Sequence, residues 1–405
     1  MTTESQTSTE RGNVIEVFLV ALRLGFTSFG GPVAHLGYFR DEYVRRRRWL
    51  DDAAYADLVA LCQFLPGPAS SQVGIAVGTL RAGWLGGVAA WVAFTAPSAI
   101  ALVIFGLAVE EFDLSDAGWL AGLKVAAVAV VANAVWGMAR NLTPDRERIT
   151  LAVAAAVIVL IERTAFTQVL VIATGAAIGW RLFPTAVEAA AGTARQRVGF
   201  GTRVAVVAWV AFFGLLIALP IVRQFSDLQA LAIFDSFYRA GSLVFGGGHV
   251  VLPLIESEVV APGWLTEDEF IAGYGAAQAV PGPLFAFSAY LGAIAGPTPN
   301  GWAGASIALI AIYVPSFLLL AGTLPFWERL RGRPDVQSAL KGVGAAVVGL
   351  LVAALYEPVW TSAILQPEDF ALGLVAFGLL AAWRLPAWAV VLVAAAGGEL
   401  IAAFA

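Results

Sequence analysis

The sequence predicts an all-α integral membrane protein made of two inverted-topology repeats, each of about five or six membrane segments. Three observations carry that prediction. The 405-residue chain is 59% hydrophobic and only 13% charged, with a mean hydropathy of +0.80, a composition foreign to water-soluble globules. Its long apolar runs are continuous rather than alternating, which fits helices of about 20 residues crossing a bilayer and not barrel strands. Finally, the chain contains itself twice.

The duplication is read residue by residue. Arg-Leu-Gly-Phe-Thr-Ser-Phe-Gly-Gly-Pro, from Arg23 to Pro32, returns as Arg-Ala-Gly-Ser-Leu-Val-Phe-Gly-Gly-Gly, from Arg239 to Gly248. Gln63, Pro66, Gly67 and Pro68 return as Gln278, Pro281, Gly282 and Pro283, and Trp84 and Pro97-Ser98 return as Trp302 and Pro315-Ser316. The offset stays between 215 and 218, and the chain's two lysines, Lys124 and Lys341, obey it. In a hydrophobic chain, a duplicated unit marks a transporter whose site lies where the copies meet.

Residues 1–13 form a polar stretch expected to be a disordered tail, and no cleavable signal peptide is visible in the run that follows, which contains Glu16 and Arg23. The first repeat, 14–190, offers apolar segments at about 14–39, 53–80, 84–109, 119–139, 149–161 and 165–183. A linker, 191–226, holds Arg195, Arg197 and Arg203 and an unmatched run, Val204 to Val222, expected to be a connecting membrane helix. The second repeat, 227–405, offers segments at about 228–254, 270–295, 302–325, 338–356, 369–382 and 386–404.

Loop charge predicts the orientation, because basic residues collect in cytoplasmic loops. Arg40 and Arg45 to Arg48 face a counterpart loop, Glu256 to Glu269, with five acids and no base. Glu110, Glu111, Asp113 and Asp116 face Arg329, Arg331 and Arg333, while Arg140, Arg146 and Arg148 face Glu357, Glu368 and Asp369. All three pairs are opposite in sign, which predicts inverted repeats with a cytoplasmic N-terminus. Parity then makes 53–80 turn back at Pro66-Gly67-Pro68, where two prolines remove backbone donors. Likewise 228–254 should turn at Phe245-Gly246-Gly247-Gly248 and its partner at Phe29-Gly30-Gly31-Pro32.

Broken helices at membrane depth are tolerated only where protein buries them or water reaches them. Half-helix N-termini attract anions, and Gly30, Gly31, Gly246 and Gly247 let backbone approach a ligand; tight helix packing is the alternative use. Arg23 and Arg239 lie roughly 13 Å into their segments at 1.5 Å per residue, where a guanidinium costs at least about 2.5 kcal/mol unless paired or hydrated. Its planar fork suits a polyatomic anion; a structural ion pair with Glu16 or Asp235 is the other reading. Lys124 and Lys341 serve the anion or snorkel to the interface. Gln63 and Gln278 donate to an anion or to broken backbone, with Ser70, Ser71, Gln72 and Ser288 as polar lining. His249 beside the glycine turn has Val33 as its counterpart, and Cys62 reads as a small buried apolar residue.

At these residues the chain resembles the chromate ion transporter family, specifically its long two-domain members. The resemblance rests on Arg23, Gly25, Phe29-Gly30-Gly31-Pro32, Gln63 and Pro66-Gly67-Pro68, with the matching set from Arg239 to Pro283. It implies export of chromate across the bacterial inner membrane, conferring resistance, and a link to sulfate, a tetrahedral dianion of similar size. The chain departs from a perfect repeat at Gly248 for Pro32 and at Leu284-Phe285 for Ala69-Ser70, so the first half should supply more polar contacts.

The expected function is therefore a secondary transporter that exports chromate by alternating access around Arg23, Arg239 and the glycine and Pro-Gly-Pro breaks. A sulfate or other oxyanion transporter, or an anion channel, on the same scaffold stays open. No Walker-type motif, cofactor or metal site is expected, and two histidines with one cysteine argue against an enzyme. The expected partners are the anion and the lipid bilayer, with no nucleic acid; a homodimer is compatible with this reading.

Overall fold

The computed structural model describes residues 12–29, 31–111, 117–162, 164–183, 201–244, 251–326 and 333–404, and all regular structure among them is helical. Gly30, Gly246, Gly247, Gly248 and His249 lie outside the described residues, as do the tail 1–11, the acidic loop 112–116, linker residues 184–200 and the basic loop 327–332. Among the described residues six helices are long and apolar enough to cross a membrane, within 69–109, 118–142, 202–223, 301–326, 334–363 and 387–404.

α1 (Val14–Thr27) starts at Asn13, whose side chain accepts from the Ile15 N–H, a cap that satisfies one orphan donor. It ends at Ser28, and α2 (Gly31–Phe39) begins with Gly31 at φ +77, in the left-handed region that suits glycine. α2 runs into a π-helical turn, Arg40–Arg46. The chain doubles back here: Glu16 meets Arg47 at 3.5 Å and Arg23 meets Glu42 at 3.7 Å. α1 and α2 with its π-helical continuation are thus the two arms of a hairpin, while the expected turn at Phe29 to Pro32 includes Gly30, which lies outside the described residues.

α3 (Asp52–Phe64) and α4 (Ala69–Glu111) are separated by the Pro-Gly-Pro loop, with Gly67 at φ +118. The guanidinium of Arg81 lies 5.4 Å over the Trp49 ring and pairs with Glu16 at 3.3 Å, while Asp52 holds Arg40 at 2.7 Å. The stretch from Asp52 to Arg81 therefore leaves one end of the molecule and returns to it. α4 breaks at Ala82 and Gly83 (φ +71), and its two arms fold against each other with Gly78 on Gly86. This is the separation expected between 53–80 and 84–109.

α5 (Gly118–Leu142) carries Lys124. α6 (Arg146–Ile161) is capped by Asp145, whose side chain accepts from the Arg148 N–H; these Arg148 contacts hold the Asp145 carboxyl below its usual pKa. α7 (Ala165–Leu182) follows. α8 (Thr202–Arg223) is the unmatched helix, and Val207 (67% exposed), Val210 (67%) and Ile217 (62%) give it an outer apolar face suited to lipid.

The second half repeats the pattern. α9 (Gln229–Leu243) and α10 (Val251–Val259) are joined by Arg239 and Glu258 at 2.7 Å. α11 (Glu267–Ala279) opens on a capping box between Thr266 and Glu269. After Pro281-Gly282-Pro283 and a short 3-10 turn come α12 (Phe287–Ile294) and α13 (Gly301–Thr323). The Tyr290 hydroxyl donates to the Glu269 carbonyl at 2.8 Å and the Gly296 N–H to the Trp264 carbonyl at 3.1 Å, so this stretch also closes on its starting end. α14 (Pro334–Ala354), α15 (Pro367–Ala381) and α16 (Ala387–Phe404) complete the chain.

The halves exchange their last helices. α6 and α7 pack on α14, while α15 and α16 pack on α5. Glycines make both contacts: Gly175 and Gly179 meet Gly342, and Gly118 and Gly122 meet Gly398. Lipid gives helices no hydrophobic reason to associate, so close backbone approach supplies the attraction. A Cβ at Gly342 would strike the Gly175 carbonyl. Gly342→Leu is therefore expected to destabilise the protein by about 1–3 kcal/mol through overpacking, read as a lower melting temperature in detergent.

Candidate functional site

The two Pro-Gly-Pro loops dock reciprocally. The Gly67 N–H donates to the Val244 carbonyl at 2.7 Å, and the Gly282 N–H donates to the Ser28 carbonyl at 2.9 Å. Ser28 and Val244 end α1 and α9 and stand at matching places in the repeat. Each loop thus docks on the end of the other half's first helix. Gly67 and Gly282, at φ +118 and +106, have no room for a side chain. A Cβ at Gly67 would lie 2.8 Å from Ser316 Oγ, and one at Gly282 would lie 2.8 Å from Ser98 Oγ. Those two serines are themselves repeat counterparts. The flanking prolines Pro66, Pro68, Pro281 and Pro283 stop the helices on either side.

Polar side chains gather at this junction. Ser70, Ser71 and Gln72 are buried. Gln72 Nε2 donates to the Pro66 carbonyl at 2.7 Å and reaches Ser316 Oγ at 3.4 Å. Ser71 Oγ lies 3.3 Å from the Tyr313 hydroxyl, and Ser70 Oγ lies 3.4 Å from His35 Nδ1. In the second half the corresponding residues are Phe285, Ala286 and Phe287, so the first half supplies more of the polar contacts. Ser288 is buried but donates to its own Phe285 carbonyl at 2.8 Å. Gln278 is half-buried with Nε2 unpartnered, whereas Gln63 is exposed. Cys62 is buried and free.

The arginines carry carboxylate partners. Arg23, with a side chain 58% exposed, pairs with Glu42 at 3.7 Å. Arg239 is held by Asp235 at 2.9 Å and Glu258 at 2.7 Å, and Arg223 reaches Asp235 at 3.2 Å. The Ser236 hydroxyl also donates to Glu258 at 2.8 Å. Of the two partners the sequence suggests, Asp235 does bind an arginine, whereas Glu16 pairs with Arg47 and Arg81 instead. Glu42 and Glu258 were missed, although they recur at the same offset as the arginines and could have been found by it.

The lysines diverge. Lys124 Nζ reaches Asp268 Oδ1 of the other half at 2.9 Å, which ties it to protein rather than to the interface. Lys341 has no ion-pair partner among the described residues. The junction therefore offers hydroxyls, an imidazole, amide groups and half-helix ends, all neutral donors of the sort that hold an oxyanion. The paired charges sit along the hairpins that lead to it.

Comparison with known proteins fits this arrangement. The family model described as chromate transporter matches residues 15–180 and 231–399, one stretch in each half. A chromate transport protein from Pseudomonas aeruginosa is 29% identical over 94% of this chain and 90% of its own. A probable chromate transport protein from Synechococcus elongatus is 26% identical over 94% of this chain and 93% of its own. The uncharacterized transporter YwrA from Bacillus subtilis is 35% identical over 130 residues, which cover 32% of this chain but 71% of that shorter one. No solved structure matches.

Proposed function

The chain belongs to the chromate transporter family, and from that membership we propose that it exports chromate from the cytoplasm by alternating access and thereby confers resistance. The observation that carries the alternating-access reading is the reciprocal docking of the two loops, Gly67 on Val244 and Gly282 on Ser28. Two near-equivalent halves that dock on each other's helix ends have two near-equivalent ways to open, one toward each side of the membrane. Opposite loop charges support inverted orientation, with Arg40 and Arg45 to Arg48 facing the cytoplasm and the protein lodged in the bacterial inner membrane.

In this reading the Ser70 backbone N–H, Ser71 and the half-helix ends at Pro66-Gly67-Pro68 and Pro281-Gly282-Pro283 bind the anion. Arg23 and Arg239, held by Glu42 and Glu258, attract it along the two hairpins, with Lys124, Lys341, Gln63 and Gln278 in weaker supporting roles. A dianion leaving a negative interior is driven by the potential, at about 2.3 kcal/mol per charge per 100 mV, so the cycle needs no nucleotide.

Inside-out vesicles test this directly. Chromate should enter them faster when the lumen is made positive, and excess sulfate should compete. Sulfate uptake with no chromate uptake would remove the chromate reading. Ohmic current in a planar bilayer would replace the carrier with a channel.

A further inference from the structure

The two docks share one matching backbone hydrogen bond and differ in side chains at the described positions. Around the Gly282 loop the first half supplies Ser28, His35, Ser70 and Ser98; around the Gly67 loop the matching positions hold Val244, Val251, Phe285 and Ser316. The first set is contiguous. The Gly282 N–H binds the Ser28 carbonyl at 2.9 Å, and the Cβ position of Gly282 falls 2.8 Å from Ser98 Oγ and 3.4 Å from the Phe94 carbonyl. The His35 ring stands edge-on to the Phe94 ring at 5.5 Å, and His35 Nδ1 lies 3.4 Å from Ser70 Oγ.

Within this dock Ser28 Oγ and His35 Nε2 are fully enclosed, in residues 0% and 1% exposed, and neither makes a hydrogen bond of good geometry, although the imidazole also stands within reach of the Ser28 carbonyl. Buried polar atoms are nearly always hydrogen-bonded, and an orphan asks for a reason. Ser98 is not orphaned, since its hydroxyl donates to the Thr95 carbonyl at 3.0 Å. The counterparts of the two orphans, Val244 and Val251, have no side-chain polar atom to satisfy. α4 begins at Ala69, so the Ala69, Ser70 and Ser71 N–H groups in its first turn lack intrahelical acceptors beside the same imidazole.

We propose that the protein holds its tetrahedral oxyanion at one dock only, the one at the end of α1 that the Gly282 loop closes, with Ser28 Oγ–H and His35 Nε2–H as donors to the anion. The Ser70 hydroxyl donates to His35 Nδ1, which places the ring proton on Nε2 and aims it at the ligand. The second dock closes without ligand and serves as the counterweight of the cycle. A site built from neutral donors binds a dianion without a fixed cation to retain it, which suits a carrier that must also release. This inference rests on the oxyanion-transport reading above.

The test is chromate and sulfate binding by calorimetry to the full-length, detergent-solubilised protein, paired with transport in proteoliposomes. One anion should bind per chain. His35→Val, which installs the residue of the second half, should weaken binding by roughly tenfold to a hundredfold, the loss of a hydrogen bond to a charged ligand. His35→Gln, which keeps a donor near the position of Nε2, should recover most of it. Ser28→Ala removes a single oxygen and should weaken binding with the melting temperature unchanged. Wild-type affinity in both His35→Val and Ser28→Ala, or two anions per chain, overturns the single dock while leaving transport intact. His35-dependent binding without any transport supports the dock and overturns the transport function instead.

Discussion

Arg239→Ala is expected to abolish chromate transport and to cost the fold about 3 kcal/mol, the low end for breaking a buried ion pair. Asp235 and Glu258 have side chains 1% and 9% exposed, and both take Arg239 Nη2, at 2.9 and 2.7 Å. Arg223 also reaches Asp235, at 3.2 Å, but lies 4.0 Å from Glu258. Without Arg239, two enclosed carboxylates share one remaining guanidinium. Adding Glu258→Gln removes the excess charge and should restore most of the melting temperature. If Arg239 also attracts the anion, vesicle uptake stays low in the double variant; uptake that returns with stability makes the residue purely structural.

Arg23→Ala separates the same two roles from the other half. Its side chain is 58% exposed and its partner Glu42 is 3.7 Å away, a pair of the kind worth at most about 1 kcal/mol. The melting temperature should therefore barely move. Lost uptake at unchanged stability assigns Arg23 to the anion path, whereas wild-type uptake removes it from that path.

The features that recur were legible in the sequence. Two prolines flanking a glycine remove successive backbone donors, so Pro66-Gly67-Pro68 and Pro281-Gly282-Pro283 announced their turns, whereas lone prolines such as Pro97 and Pro315 stay inside helices; the unmatched run Val204 to Val222 announced α8. Recurrence also set the limit of that reading. His35 was passed over because its counterpart is Val251, and a search for matched residues discards whatever one half alone retains. Glu258 was counted only as a loop charge and Glu42 was not singled out, although their shared offset marks them as partners of the arginines. The pairing of α7 with α14 and of α16 with α5 was not legible, because small residues along an apolar helix show that something packs closely without naming the partner. The same holds for Lys124, whose position near a helix start suits snorkelling until Asp268 is placed 2.9 Å away.

Gly67→Ala and Gly282→Ala should both stop turnover, and they should differ in what they do to binding. Each glycine has a φ, +118 or +106, that costs an L residue about 1–3 kcal/mol. An added Cβ at Gly67 would fall 2.5 Å from Gln72 Nε2 and 2.8 Å from Ser316 Oγ, and at Gly282 2.8 Å from Ser98 Oγ. The neighbouring side chains can turn aside, but an L residue leaves this φ only if the loop shifts, which lengthens the hydrogen bond to Val244 in one case and to Ser28 in the other. If each loop must seat and unseat once per cycle, either change lowers the maximal rate by roughly an order of magnitude or more, since losing about 1.4 kcal/mol is tenfold. Gly282 borders Ser28 and Ser98, so Gly282→Ala should weaken chromate binding more than Gly67→Ala does. Wild-type turnover in Gly67→Ala would show that the second dock plays no part in the cycle, and reciprocal docking would then be a packing feature of the duplication.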